Sequence, residues 1–256
     1  DSVFDLHINP VLLLSTGKDS ETSGRLYQNT RGLELRATID NKIGLYTYLT
    51  TTQMQIPEYI RMYTEMNETV QGEGFWKSLN GKGYDFFTAR GYLTFALTKH
   101  IDVQAGHDKI FVGQGYRSMI LSDNANNYNF LRVNTNIWKL NYTNIFAQLK
   151  ANTFANPNLN GSLAGVRYPD KYMAFHHLGM QVTKNLNIGL FESVIFGRGD
   201  SASGGSFDWA YMNPLIFYRA MESNMGSPDN ASLGADFSWR IKNRVLVYGQ
   251  FFLDEY

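Results

Sequence analysis

Five short polar turns, each flanked by two strand-like runs, most constrain how this chain can fold. The turns fall near Asn41, Lys99, Asn136, Lys184 and Asn243. The connections between successive hairpins are longer, roughly 20 to 30 residues, well above the usual length of connections within a domain. They are rich in Gly, Asn, Asp and Ser. Short turns at one end and long loops at the other are typical of a transmembrane β-barrel.

The strand-like runs alternate between apolar and polar residues, as expected when successive side chains point to opposite faces of a sheet. In the run LELRATI one face is apolar, formed by Leu33, Leu35, Ala37 and Ile39. Glu34, Arg36 and Thr38 form the other face, where charged residues in mid-strand suit a water-filled interior. Aromatic residues make up 14% of the chain and favour interfacial girdles. We therefore predict a transmembrane antiparallel β-barrel, with a soluble all-β fold as the alternative.

Composition excludes several other classes of protein. No apolar run approaches the roughly 18 residues of a helical membrane span, so insertion requires strands closed on themselves. Lys and Arg together number 23, as do Asp and Glu, and this balance gives no reason to expect a nucleic-acid partner. The chain contains no Cys, which excludes disulfides and thiol catalysis. Because no signal peptide precedes Asp1, we expect a mature or trimmed exported protein.

The number of strands predicts that the barrel is larger than this chain. The five hairpins supply ten strands, and residues 3–14 (VFDLHINPVLLL) read as an eleventh. The last run, VLVYGQFFLDEY, then ends on the loop side, whereas bacterial single-chain barrels have an even number of strands. We expect residues 1–256 to form one outer-membrane barrel domain, as the N-terminal portion of a longer chain.

Two of the long loops contain recognisable local features. Pro57 precedes a stretch with helical propensity, which predicts a short surface helix. In the loop of residues 106–135, Gly113 and Gly115 mark tight backbone turns, and we expect Asp123 and Asn124 to form hydrogen bonds within a folded-in loop. The downstream residues of a phosphate-binding loop and the spaced carboxylates of a calcium loop are both missing there. We predict no metal site and no cofactor.

Several long motifs resemble the outer-membrane proteins of the capsule-assembly Wzi family, in particular its gliding-motility RemB-like branch. They are GQGYRSMILSDNANNYNFLRVNTNIWKLNYTNIFAQL, YMNPLIFYRAMESNMGSPDNASLG, NTRGLELRATIDNKIGLYTYLT and GYDFFTARGYLTFALTKHIDVQAGHDK. The resemblance implies a large outer-membrane barrel of around eighteen strands in the capsule members. It further implies binding of capsular polysaccharide, or a role in gliding motility and adhesion at the cell surface. This chain departs from the family in its shorter length and in lacking an evident N-terminal helical part.

Sugar recognition requires aromatic faces for stacking and planar amide, carboxylate and guanidinium groups for hydroxyls. The loop motifs supply candidate ligand-binding residues of these types, namely Tyr116, Arg117, Asp123, Asn124, Trp209, Tyr218, Arg219, Glu222, Asp229 and Asn230. Each could instead hold a folded-in loop together. Two other functions stay open, a structural subunit of an outer-membrane motility or secretion assembly and a plugged porin-like channel.

Catalysis is not predicted. A hydrolase would need a nucleophile beside a His that is oriented by a carboxylate or amide group. The five histidines, His7, His100, His107, His176 and His177, show no serine motif nearby. His176 and His177 are adjacent on a predicted strand, so their rings point to opposite faces and cannot share a metal ion.

Overall fold

The computed structural model describes residues 3–22, 24–67, 69–81, 83–150, 170–197, 207–214, 229–242 and 244–254. Strands account for 68% of the structure and helices for 7%, so the predicted all-β class is confirmed. In chain order the elements are β1 (Phe4–Gly17), β2 (Leu26–Ile39), β3 (Ile43–Gln55), α1 (Glu58–Asn67), β4 (Thr69–Val70), β5 (Gly74–Phe75), β6 (Lys77–Leu79), β7 (Gly83–Ala96), β8 (Ile101–Asp108), β9 (Tyr128–Ile137), β10 (Leu140–Lys150), β11 (Asp170–Thr183), β12 (Leu186–Phe196), a 3₁₀ helix (Trp209–Met212), β13 (Asn230–Ile241) and β14 (Val245–Asp254).

The chain divides into two compact units. The first comprises Asp1–Ala96, Gly106–Ile110 and Asp123–Asn127; the second comprises Leu97–Ala105, Phe111–Ser122 and Tyr128–Tyr256. Among the described residues there is no helix that is both long and apolar enough to cross a membrane.

In the first unit, β1, β2, β3 and β7 pair antiparallel in that order, and β6 pairs with the start of β7. The predicted turn at Asn41 joins β2 to β3. Asp40 and Asn41 there have φ of 51° and 53°, a left-handed conformation that Asp and Asn tolerate better than most residues. The helix expected after Pro57 is α1, whose face at Ile60 packs on a small core of Ile56, Val70, Tyr84 and Phe86.

The pairing register of the first unit separates its side chains into two faces. Residues directly opposite one another form rows on the apolar face, such as Leu6, Ala37, Leu45 and Leu93, or Pro10, Leu33, Leu49 and Ala89. The rows on the polar face include Asn9, Glu34, Tyr48 and Arg90, and also His7, Arg36, Tyr46 and Tyr92. The alternation read from LELRATI is therefore continued across four strands.

In the second unit, β9 to β14 pair antiparallel with their sequence neighbours. The turn expected near Asn136 lies two residues later, at Trp138 and Lys139, because Asn136 still pairs with Asn141 in the ladder. Asn243 lies outside the described residues, and its neighbour Lys242 has φ of 47°. The apolar face of this unit includes the row Leu140, Met180, Ile188 and Phe237.

In each unit, one of the long strands is paired on one side only. Within the described residues β1 pairs with β2 alone, and β14 pairs with β13 alone. The described part of the chain contains eleven long strands, which agrees with the ten or eleven expected from the hairpins. The pairing thus shows antiparallel sheet with free edges at β1 and β14.

Candidate functional site

A loop folds back onto the polar face of the second unit. In this docked loop (residues 111–122), Gly113 and Gly115 have φ of 116° and 86°, which favour glycine. A Cβ on Gly115 would also lie 2.8 Å from Cε2 of Tyr248 on β14. Gln250, two residues further along β14, donates to Ser118 Oγ at 2.9 Å and accepts from Met119 N at 2.9 Å. The predicted glycine turns therefore hold this loop against the sheet.

Beside the docked loop, a largely buried His–Asp pair spans three strands. His177 Nε2 on β11 lies 2.6 Å from Asp236 Oδ2 on β13, with 14% and 6% of the two side chains exposed. The intervening residue on β12 is Gly189, which pairs with Gly179 on one side and with Asp236 on the other. A Cβ on Gly189 would lie 2.4 Å from both Asp236 Oδ2 and His177 Nε2. The glycine is what lets the imidazole reach across β12.

A cavity of about 360 Å³ opens over this pair. Its polar lining residues are Gln114, Asn136, Lys139, Asn141, His177, Gln181, Asn187 and Asp236. Asn141 Nδ2 donates to Asn136 Oδ1 at 2.6 Å. The side-chain amides of Gln114, Gln181 and Asn187 form no hydrogen bond with any other described residue. Each free amide carries a carbonyl acceptor and two N–H donors, so the cavity can bind a ligand bearing several hydroxyls.

In the first unit, ion pairs attach the loops to the polar face. Arg90 Nη1 lies 3.4 Å from Asp108 Oδ1, and its guanidinium carbon lies 4.4 Å from the centre of the Tyr48 ring. Glu73, between β4 and β5, accepts from Thr88 Oγ1 at 2.9 Å and from Lys109 Nζ at 3.2 Å. These contacts tie the β4–β5 hairpin to residues in mid-sheet, and they provide structural anchorage.

Two of the predicted ligand residues, Tyr116 and Arg117, lie at the tip of the docked loop. Tyr116 has 89% of its surface exposed, and the Arg117 guanidinium lies 5.8 Å from the centre of its ring. Asp123 and Asn124 are both exposed and belong to the first unit. The backbone carbonyl of Asn124 would lie 3.5 Å from a Cβ on Gly72, so this segment packs close to the turn before β5.

The residues predicted around Trp209 have different environments. Trp209 is 75% exposed and contacts Phe207 edge to face, with 5.2 Å between ring centres. Asp229 accepts a hydrogen bond of 2.6 Å from the hydroxyl of Tyr211, a fully buried residue, and so has a structural role. Asn230 begins β13 and pairs with Ile195. The remaining predicted residues lie outside the described part of the chain, namely Tyr218, Arg219 and Glu222.

Sequence reasoning missed the partner of His177, although it placed the neighbouring histidines correctly. His176 lies on the opposite face of β11 from His177, against the ring of Tyr142, with 5.8 Å between ring centres. No group of three His, Cys, Asp or Glu residues within the described ranges is arranged to hold a metal ion. A register shift between Gln181 and Thr183 brings Gly179 opposite Gly189, and the glycines within these two strand-like runs were the available signal.

Comparisons with models of protein families, with curated proteins and with solved structures found no match for this chain.

Proposed function

We propose that this chain forms an integral β-barrel domain of the bacterial outer membrane. The supporting observation is that burial in the first unit is inverted relative to a soluble sheet. On the apolar face Leu33 and Leu49 are 49% and 38% exposed, whereas on the polar face Thr50 and Thr88 are 3% and 6% exposed. Each Å² of apolar surface that stays in water costs about 25 cal/mol of free energy relative to its burial. Contact with lipid tails would remove this cost. A soluble all-β fold would bury the other face.

Two leucines with equal exposure on opposite faces provide the test. Leu33 on the apolar face and Leu13 on the polar face are each 49% exposed. Leu33→Arg should destabilise the lipid-embedded protein by about 2–4 kcal/mol, the cost of an arginine facing lipid near mid-bilayer. Leu13→Arg should cost much less, because that face is polar. Denaturant unfolding in lipid vesicles measures both values, and equal effects of the two substitutions would contradict membrane insertion.

At the cell surface, we propose that the domain binds polysaccharide of the capsule or exopolysaccharide type, in capsule assembly or in gliding motility and adhesion. The resemblance to the Wzi family supports this function. The exposed Tyr116 and Trp209 rings offer faces for stacking, and Arg117 offers donors for hydroxyls.

A glycan-binding measurement with one double variant and one control variant tests this function. We expect a neutral oligosaccharide such as maltohexaose, or an acidic one such as a hyaluronan tetrasaccharide, to bind the detergent-solubilised protein in calorimetry. Tyr116→Ala with Arg117→Ala should weaken binding roughly tenfold or more, in keeping with the loss of a stacking ring and a hydrogen-bonding group. Lys18→Ala, in a different loop, is the control. Unchanged binding in the double variant would show that the docked loop is not part of the glycan-binding site.

A structural subunit of a motility or secretion assembly is the second candidate function. One face of α1 is exposed and largely apolar, with Tyr59, Met62 and Met66 between 70% and 77% exposed. Their spacing of three and four residues puts them on one side of the helix, where a protein partner could cover them. Stoichiometric outer-membrane or periplasmic proteins that co-purify with the protein, and are lost on Met62→Glu, would favour this function.

A plugged porin-like channel is a third candidate. The docked loop in the second unit and the β4–β5 hairpin in the first both cover polar-face residues, as plugging loops do in larger barrels. Conductance in planar bilayers that rises on Gly115→Ala, which should release the docked loop, would favour this candidate over a simple binding surface.

A further inference from the structure

Every short turn described in the second unit carries a lysine. The four are Lys99, Lys139, Lys184 and Lys242, and all are exposed. Arg240 and Arg244, also exposed, flank the last of these turns. We call these six residues the cationic rim.

Backbone hydrogen bonds hold successive turns of the rim side by side. Asn136 N donates to His100 O at 2.7 Å, and Gln181 N donates to Lys139 O at 2.9 Å. Arg240 N donates to Asn185 O at 2.8 Å. Because neighbouring strands lie about 4.8 Å apart, successive turns recur at about 10 Å, so the lysines form a row along one end of the sheet.

Within the described ranges of the chain, no carboxylate neutralises the charges of the rim. None of the six forms an ion pair with a carboxylate among the described residues. The acidic residue closest in sequence to the first turn, Asp102, is half-buried and accepts a hydrogen bond from Asn134 Nδ2 at 2.9 Å. A row of exposed cations without acidic partners is suited to an anionic surface.

Directly beside the rim lies the end of the apolar face. Trp138 and Trp239 are 80% and 48% exposed, and Lys139 Nζ lies 5.3 Å from the centre of the Trp138 ring. Tryptophan next to lysine at the end of an apolar band is the arrangement found where a protein meets lipid headgroups. The row of cations and the band of apolar residues therefore meet at one boundary.

We propose that the cationic rim binds the phosphate groups of anionic phospholipids in the leaflet that faces the short turns. This inference rests on the proposed membrane insertion and adds the headgroup chemistry to it. Each lysine near an anionic membrane surface strengthens association by up to about fivefold. Because the Debye length is about 8 Å at physiological salt, turns about 10 Å apart contribute nearly independently.

Quenching of tryptophan fluorescence by brominated lipids tests the proposal. The full chain is reconstituted in phosphatidylcholine vesicles that contain either brominated phosphatidylglycerol or brominated phosphatidylcholine at the same fraction. We expect stronger quenching by the anionic lipid, and a loss of that preference of up to about fivefold per residue in Lys139→Gln with Lys184→Gln. The matched control is Lys18→Gln with Lys77→Gln, two exposed lysines of the first unit, which should leave the preference unchanged.

The possible failures are distinguishable. Quenching by neither lipid would overturn membrane insertion, and the rim proposal with it. Equal quenching by both lipids would overturn the rim proposal alone, as would an equal loss in the control variant. If inorganic phosphate removes the preference and sodium chloride of equal ionic strength does not, the rim is a site for free phosphate and the lipid assignment is wrong.

Discussion

Glycine at one position on β12 decides whether two polar side chains can meet. His177 and Asp236 are separated by a whole strand, and their hydrogen bond crosses it at Gly189. Any side chain at that position would occupy the space of the imidazole and the carboxylate. Burial of an imidazole and a carboxylate without each other would leave each with an unsatisfied polar atom, at a cost of about 1–3 kcal/mol.

Two glycines that face each other on neighbouring strands allow the contribution of the space at Gly189 to stability to be measured. Gly189→Ala should destabilise the protein by about 1–3 kcal/mol, the usual cost of overpacking, because its Cβ would lie 2.4 Å from both partners. Gly179→Ala, directly opposite on β11, meets its nearest atom at 3.6 Å and should have a much smaller effect. Denaturant unfolding of the two variants measures the difference. Equal destabilisation would show that general crowding of the strands is responsible.

The helix α1 is held at its N-terminus by a residue from a distant loop. Glu58 N donates to Asp19 Oδ2 at 3.0 Å, and Thr22 Oγ1 donates to the same oxygen at 2.6 Å. The hydrogen bond from Thr22 and then that from Glu58 lower the pKa of Asp19 below its ordinary value of 3.8. A carboxylate at a helix N-terminus also complements the helix dipole.

The attachment of α1 should therefore depend on pH and weaken in acid. A lowered pKa means that the folded state favours the charged carboxylate, so its contribution is complete above pH 3.8 and is lost as the pH falls through the lower, folded-state pKa. The Glu58 amide proton shift, followed by NMR, should titrate with a midpoint below 3.8. Asp19→Asn keeps an acceptor that does not titrate and should abolish this transition. A midpoint above 3.8 in the wild type would contradict the role of the Asp19 carboxylate as a hydrogen-bond acceptor at the N-terminus of α1.

At the scale of the whole molecule, the proposed membrane insertion imposes a condition on the two free strand edges. In a bilayer each unpaired backbone N–H or C=O costs several kcal/mol, so a sheet with exposed edges is not tolerated. Under the proposed insertion, the outer edge of β1 and that of β14 must each be paired.

Under the proposed membrane insertion, the native protein should behave as a closed barrel. We expect a band that migrates differently in SDS with and without boiling, because a closed barrel resists the detergent until heated. Identical migration with and without boiling would contradict closure of the barrel.

Local residue patterns were sufficient to predict much of the fold. The strand-like run at 3–14, the turn residues Asp40 and Asn41, and Pro57 before α1 each act through their own backbone preferences and near neighbours. The candidate site was harder to predict. Asp229 was expected at a ligand site but bonds to the buried Tyr211, because a loop residue's partner depends on how distant segments pack.

By itself the sequence determined the alternation of apolar and polar residues, the positions of the short turns and the cations on them, since these depend on spacing along one strand or hairpin. Only the tertiary structure decided which face is covered. The docked loop and the β4–β5 hairpin lie on the polar face, and Tyr211 packs against part of the apolar face at Ala174 and Val194. It also joined His177 to Asp236 across 59 residues of chain. Register between strands brings such residues together, and no single segment of sequence contains that information.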